Sequence, residues 1–272
     1  MTGVEFLCED LLLVAIDARG GLGRAWAISY GLMGAELVRL AAAGRITIAE
    51  DRVLVSSAAP TGDAELDAAL ARIGEWASPP RPGEWVAQVR LGILDGYLDR
   101  LAAAGAIQEE DRWWGTRYRI TDPARAAMAR QQLDAIAASA GPVDLGQAAY
   151  AGLACAIGLD RMRYRGWRRR AERRRLREIA AGHWTVTPPD AGDALPTGPV
   201  GGQAATQATT APSASAADQA QQATNAAVSA AGQVAINAAT RAAIGAATLA
   251  VAHATAATAH GGHGGGHGGH GA

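Results

Sequence analysis

The stretch RMRYRGWRRRAERRRLRE (161–178) sets ten arginines against one acid, Glu172, within residues 161–177. Guanidinium groups stay charged and grip phosphate oxygens through paired N–H bonds. Arg165, Arg168, Arg169, Arg173 and Arg174 are the candidate phosphate-binding residues of this run. Tyr164 and Trp167 combine an apolar body with a polar tip, which suits the boundary between water and acyl chains. Three occupants satisfy such a run: an anionic membrane surface, a nucleic acid, or water alone. In the last case Tyr164, Trp167 and Leu176 pack on the core, and the arginines pair with acids of the N-terminal part. All 25 basic residues are arginine, and with the alanine and glycine load this reads as a high-GC coding bias. Density therefore counts for more than number. Residues 1–142 hold 14 arginines against 19 acids, whereas 143–185 hold 10 against 4. The net charge of −1 conceals this asymmetry.

Enzymatic chemistry finds no matching motif. In GGLG (20–23) the third glycine of a dinucleotide fingerprint would fall at Trp26, and without lysine there is no phosphate-binding-loop motif. His183 is the one histidine of the expected body, 1–184, which leaves no triad or histidine metal cage there. The acids at Glu50–Asp51 and Glu109–Asp111 read as solvated turn charges, and Thr61 with Asp63 as a turn and helix cap. HGGHGGGHGGHGA lacks a fold to fix metal geometry. Cys8 and Cys155 sit in apolar runs and read as buried free thiols. The expectation is a non-enzymatic protein without cofactor or bound metal. MTGVEFLCED is acidic where a signal peptide is basic, and no apolar run reads as a membrane span. A cytoplasmic protein is expected, peripheral on the inner face of the membrane if lipid is the partner.

The elements that must position these residues are mainly helical. LCEDLLLVAID opens as a helix with acids in its first turn. Trp26, Tyr30, Met33, Leu37 and Leu40 form a stripe, and Ile28, Leu32 and Ala35 a second face, so this helix is predicted to be buried on most sides. RITIAEDRVLVSS and AIQEEDRWWGTRYRIT read as hairpins. A helix follows APTGD, and a long helix is predicted from about 85 to 104. Further helices start at Asp122–Pro123 and span 144–159 and about 160–181. Residues 185–272 contain no aromatic residue and four charges. They read as a flexible tail that ends in the histidine-glycine run, with a weak helix at 218–259, and removal of 187–272 is expected to leave the body folded. The fold class is a single mainly α domain, 1–184, with two short β-hairpins and a low-complexity tail, 185–272.

RLAAAG occurs twice, at 39–44 and 100–105, each time followed by an isoleucine and then EDR. A helix, a glycine stop and a hairpin thus recur. The second copy is similar to the wing of winged-helix nucleic-acid-binding regulators. A groove-reading helix, however, needs polar residues where WVAQVRLGILDGYL is apolar, and residues 1–142 are net acidic.

The order of motifs over about 5–184, above all APTGDAELDAAL (59–70) and the preceding GLMGAELVRLAAAGRITI (31–48), resembles the Golgi phosphoprotein 3 family in its bacterial branch. The resemblance implies a helical peripheral membrane adapter that binds phosphatidylinositol 4-phosphate or related anionic headgroups. It also implies cytosolic tails of membrane proteins as partners. The family's headgroup tryptophan falls at Arg24, with Trp26 two residues away. Met33 stands where the family has an arginine, and two further arginine positions fall near Leu91 and Leu94, with Arg90 beside them. Arg24, Trp26 and Arg90 are therefore the lipid-site candidates that the resemblance adds. Because a family hairpin promotes self-association, Trp113, Trp114 and Tyr118 are the candidate contacts of a homo-oligomer.

Overall fold

The computed structural model describes residues 4–113, 115–184 and 216–261, the last segment with side chains over 230–258. Among them are ten α-helices and two two-stranded antiparallel sheets. In chain order these are α1 (Leu7–Ala15), α2 (Ala25–Ala42), β1 (Ile46–Ala49), β2 (Arg52–Val55), α3 (Ala64–Gly74), α4 (Pro82–Ala87) and α5 (Ile93–Ala103). Then come β3 (Ile107–Arg112), β4 (Gly115–Ile120), α6 (Pro123–Ala138), α7 (Leu145–Ala156), α8 (Leu159–Arg163), α9 (Arg170–Ala180) and α10 (Ala216–Gly261). One compact unit comprises Met1–Val186 and Ile236–Ala272; the other is Thr187–Ala235, whose described part is helical.

The doubled apolar stripe of α2 makes it the central helix, with Ile28, Leu32, Met33, Leu37 and Leu40 all buried. It packs against α1, α3, α4, α5 and α7. Both RLAAAG copies end their helices in the same way. Gly44 and Gly105 take φ of +67° and +69°, a left-handed conformation in which glycine has no Cβ to clash. The next N–H folds back onto the helix, Arg45 to the Leu40 carbonyl and Ala106 to the Leu101 carbonyl, both at 2.9 Å. Each hairpin then returns to that residue: Ser56 N–H donates to the Arg45 carbonyl and Thr121 N–H to the Ala106 carbonyl. The first hairpin turns on Glu50 and Asp51, both at positive φ, as a two-residue turn between twisted strands requires. An aspartate caps the next helix in each case, Asp63 before α3 and Asp122 before α6.

The two copies meet at Asp63. Arg39 of the first donates to Asp63 Oδ2 at 2.7 Å, and Arg100 of the second reaches the same oxygen at 2.6 Å. Arg100 also lies 3.3 Å from Glu9 on α1. A neighbouring network joins Arg90 to the buried Glu36 at 2.8 Å and to Glu65 at 2.5 Å. This inward pull corrects the expected helix over 85–104. The chain leaves helix at Gln88 and restarts at Gly92, whose φ is +78°, so α4 and α5 are separate.

Two other expectations differ from the structure. The helix expected at about 160–181 is α8, a 3-10 turn at Trp167–Arg169, and α9, broken at Gly166 with φ +85°. The segment 236–258 of α10, expected to be flexible, packs on the body and buries Ala243, Ile244, Ala247 and Val251. Two glycines admit it: a Cβ on Gly34 would lie 2.8 Å from Val251, and one on Gly152 2.7 Å from Thr248. Thr255 Oγ1 donates to the Ala156 carbonyl at 3.0 Å. Residues 185–215 and 262–272 of the expected tail lie outside the described residues. The reading of no membrane span also needs amendment. Ala230–Thr258 is long and apolar enough to cross a bilayer, although 44% of its most apolar window is buried against the protein.

Three outcomes follow. Asp63→Asn keeps a cap-competent side chain but leaves the buried Arg39 without its carboxylate, at about 3–5 kcal/mol. Asp63→Ala adds about 1 kcal/mol for the lost cap, and urea unfolding of both variants separates the two contributions. Burial pushes the Glu36 carboxyl up to about 8 against the opposing pull of Arg90, and its Oε2 has no hydrogen-bond partner among the described residues. The folded chain then holds a proton that the unfolded chain releases near the ordinary value of 4.5. Stability from this site is full below that value and falls as pH rises towards 8; Glu36→Gln should flatten this part of a stability–pH profile. A chain ending at residue 229 should melt about 5 °C or more below the full chain, equivalent to roughly 2 kcal/mol. Calorimetry at matched concentration measures it.

Candidate functional site

The arginine run is sorted by what each guanidinium can reach. Arg163 and Tyr164 both bond Asp134, Arg163 through Nε at 3.1 Å and Nη2 at 2.6 Å, Tyr164 through its hydroxyl at 2.7 Å. Burial works against the charged form of Asp134, but these bonds hold its carboxyl below the usual range. Arg177 pairs with the buried Asp160 at 3.0 Å, and Arg175 donates to the Gly141 carbonyl at 2.5 Å. These three cations fasten α8 to α6, α9 to α8, and α9 to the loop between α6 and α7. Tyr164 and Leu176 enter the core, as one of the three sequence readings anticipates for them and for Trp167, and Ile179 joins them.

Trp167 does not. It is 72% exposed, with the Arg168 guanidinium 5.4 Å from its ring centre. Arg161, Arg165, Arg168 and Arg170 are exposed and make no ion pair among the described residues. Arg169 and Arg174 hold only exposed one-turn pairs, with Glu172 at 3.0 Å and Glu178 at 3.5 Å. Such pairs contribute a few tenths of a kcal/mol and exchange readily for a stronger anion. A shallow groove of about 510 Å³ lies among Arg170, Arg173, Arg174, Arg177 and His183. Arg173 lends one nitrogen to the Gly166 carbonyl at 3.3 Å. The surface can neutralise several phosphates at once while presenting an indole to an apolar layer.

The candidates drawn from the resemblance are divided by the fold. Arg24 opens α2 in a left-handed conformation, φ 62°, and stands 5.3 Å over the Trp26 ring. Trp26 is 38% exposed and meets Tyr30 edge-on at 6.4 Å, so the first turn of α2 emerges from the core although its stripe continues inward. Arg24 also reaches the backbone at Gly158, and Gly23 faces Met162, which puts this pair against the start of α8. Arg90 is elsewhere, turned inward between Glu36 and Glu65. That charge is committed to the fold, which corrects its place among the headgroup candidates. Met33 is buried and Leu91 is 99% exposed, so these two positions carry no cationic pocket.

At the second hairpin, Trp113 is 91% exposed. Trp114 lies outside the described residues. Tyr118 packs partly against the core, and its N–H donates to the Gly20 carbonyl at 2.8 Å. Sequence reasoning missed a second basic cleft here, of about 650 Å³, between the Asp17–Gly20 turn, the hairpin and α6. The available signal was the alternation Arg117–Tyr118–Arg119, which sets two arginines on one face of a strand. Among the described residues no group of three or more histidine, cysteine or acidic side chains stands ready for a metal ion. Both cysteines are free, and burial raises both thiols, Cys8 to about 12. The family model described as Golgi phosphoprotein 3 (GPP34) matches residues 7–195, which take in α1 to α9, the exposed arginine surface and both hairpins, and the chain belongs to that family.

Proposed function

We propose that this chain is a non-enzymatic peripheral adapter that docks on anionic phospholipid headgroups at the cytoplasmic face of a membrane. The observation that carries the reading is the exposed set Arg161, Arg165, Arg168 and Arg170 around Trp167, in a segment of which only Arg163, Arg175 and Arg177 are spent on anchoring. Family membership supports it, since known members bind phosphatidylinositol 4-phosphate. With Met33 buried and Arg90 committed inward, attraction here rests on charge density rather than on a stereospecific headgroup pocket. Each arginine near an anionic leaflet contributes about 1 kcal/mol, so four to six of them contribute several, and salt screens the sum. Cytosolic tails of membrane proteins are the proposed clients. Self-association is proposed at the β3–β4 hairpin, where Trp113 is the exposed aromatic.

Arg165, Arg168, Arg169 and Arg174 replaced together by glutamate should abolish sedimentation with phosphatidylserine vesicles at low salt. The helical circular-dichroism signal should be retained, because none of the four anchors α9. Neutral vesicles should leave the wild type in the supernatant. Wild type that ignores anionic vesicles at low salt would end the proposal, and tighter binding to duplex DNA than to vesicles would replace it with the nucleic-acid reading. Trp113→Ser is expected to shift the sedimentation-velocity distribution towards monomer; an unchanged distribution would remove the hairpin as the contact.

A further inference from the structure

The cleft beneath the β3–β4 hairpin carries charge that the surface reading does not use. Its walls hold Arg19, Arg112, Arg117, Arg119 and Arg130 against Asp17 and Glu110. Five of the 14 arginines in the net-acidic region 1–142 therefore gather in one place. Composition does not explain that. Five cations against two carboxylates leave a surplus of three, and both carboxylates are already engaged. Asp17 Oδ1 accepts from the Arg19 N–H at 2.7 Å and the Gly21 N–H at 2.9 Å, which closes the turn. Glu110 accepts from Arg112 and from Arg119 Nε, each at 3.0 Å.

The walls are also preformed. Gly20, at φ +75°, lies so close to β4 that a Cβ would stand 2.8 Å from the Tyr118 carbonyl. Beside it, a Cβ on Gly21 would lie 2.7 Å from Arg117 Nη1 and 3.1 Å from Asp17 Oδ2. Glycine at 20 lets the turn pair with the strand, and glycine at 21 leaves Arg117 room to lie across it. Arg117 and Arg119 share a strand face, while Tyr118 between them packs on the core. From the far wall Arg130 makes one long bond, 3.4 Å, to the Leu13 carbonyl near the end of α1.

We propose that this cleft binds a phosphate monoester on a sugar- or polyol-sized body, gripped by Arg19, Arg117 and Arg130, while Arg119, bonded to Glu110 and Gln108, lends its charge to the wall. A phosphate monoester carries close to two charges at neutral pH, near the surplus of the walls, where a carboxylate brings one. Its three terminal oxygens can also be shared among several guanidinium forks. A bare phosphate would leave most of the 650 Å³ empty, whereas pockets of this volume suit small organic ligands. A lipid headgroup and a free metabolite both present this group, and the recognising chemistry is the same. The site is independent of the α9 surface.

The test uses the full chain with Arg165→Glu, Arg168→Glu, Arg169→Glu and Arg174→Glu, so that the two proposals fail separately. Glycerol 3-phosphate is titrated calorimetrically against glycerol, and vesicles containing phosphatidate, the diacyl form of the same headgroup, against phosphatidylserine vesicles of equal charge. Binding of glycerol 3-phosphate without binding of glycerol is expected. Arg117→Ser with Arg130→Ser should weaken it at least about tenfold, the loss of one charge-assisted contact or more. Arg19→Glu, on an exposed side chain, should do the same without altering the melting curve, and it covers the case in which the double variant fails to fold. Phosphatidate binding far tighter than glycerol 3-phosphate binding identifies a lipid ligand, and equal affinities identify a soluble one. Absence of phosphate-ester binding, or binding indifferent to Arg19→Glu, overturns the proposal.

Discussion

Everything in the N-terminal half hangs on one carboxylate oxygen. Asp63 Oδ2 receives Arg39 from the end of α2 and Arg100 from the end of α5, while Oδ1 of the same side chain caps α3. A buried arginine is costly without a partner, and a helix start leaves unsatisfied N–H groups. One residue answers both needs. It can do so because each RLAAAG copy ends its helix with the same left-handed glycine, which fixes where the arginine five residues earlier projects. The repeated hexapeptide is thus a device for bringing two helix ends to one anion, and the hairpins that follow are positioned by the same turns.

How much of this was legible depends on whether the controlling interaction is local. The glycine stops, both hairpins and the aspartate caps at Asp63 and Asp122 are written within a few residues and could be read off the sequence. The break between α4 and α5 could not. At the break Arg90 reaches Glu36 and Glu65, which lie far away in the chain, and Gly92 takes a positive φ. The docking of α10 escaped for a similar reason. Alanine, valine and threonine give a weak helical signal, and its partner is the absence of side chains at Gly34 and Gly152. A missing Cβ is a cue only once both helices are in place.

The arginines teach the same lesson about sites. Along 161–177 the sequence offers ten identical cations, yet the fold gives them different tasks. Arg163, Arg175 and Arg177 meet acceptors presented by α6, by α8 and by the loop before α7, and these hold the segment down. Their neighbours meet only acceptors within the segment itself, as Arg169, Arg173 and Arg174 do, or make no ion pair among the described residues. Density identified the segment; only the positions of Asp134, Asp160 and the Gly141 carbonyl could say which members are structural. The same sorting removed Arg90 from the candidate site and left Arg24 beside α8. It also uncovered the hairpin cleft, whose five arginines come from four separate stretches of chain and form no run in sequence.

The seat of α10 also bears on how the protein is made. The groove is lined by α2 and α7, and the helix that fills it is the last described element to leave the ribosome. Contacts between such distant parts of a chain form late, because closing a long loop must precede any gain from it. During synthesis the body therefore passes through a stage in which Gly34, Gly152 and Leu153 face water. The apolar helix, once emerged, must choose between that groove and any other apolar phase within reach. The tight fit at the two glycines makes the choice a matter of shape, so a side chain added at either would lengthen the exposed interval before it altered any surface of the finished molecule.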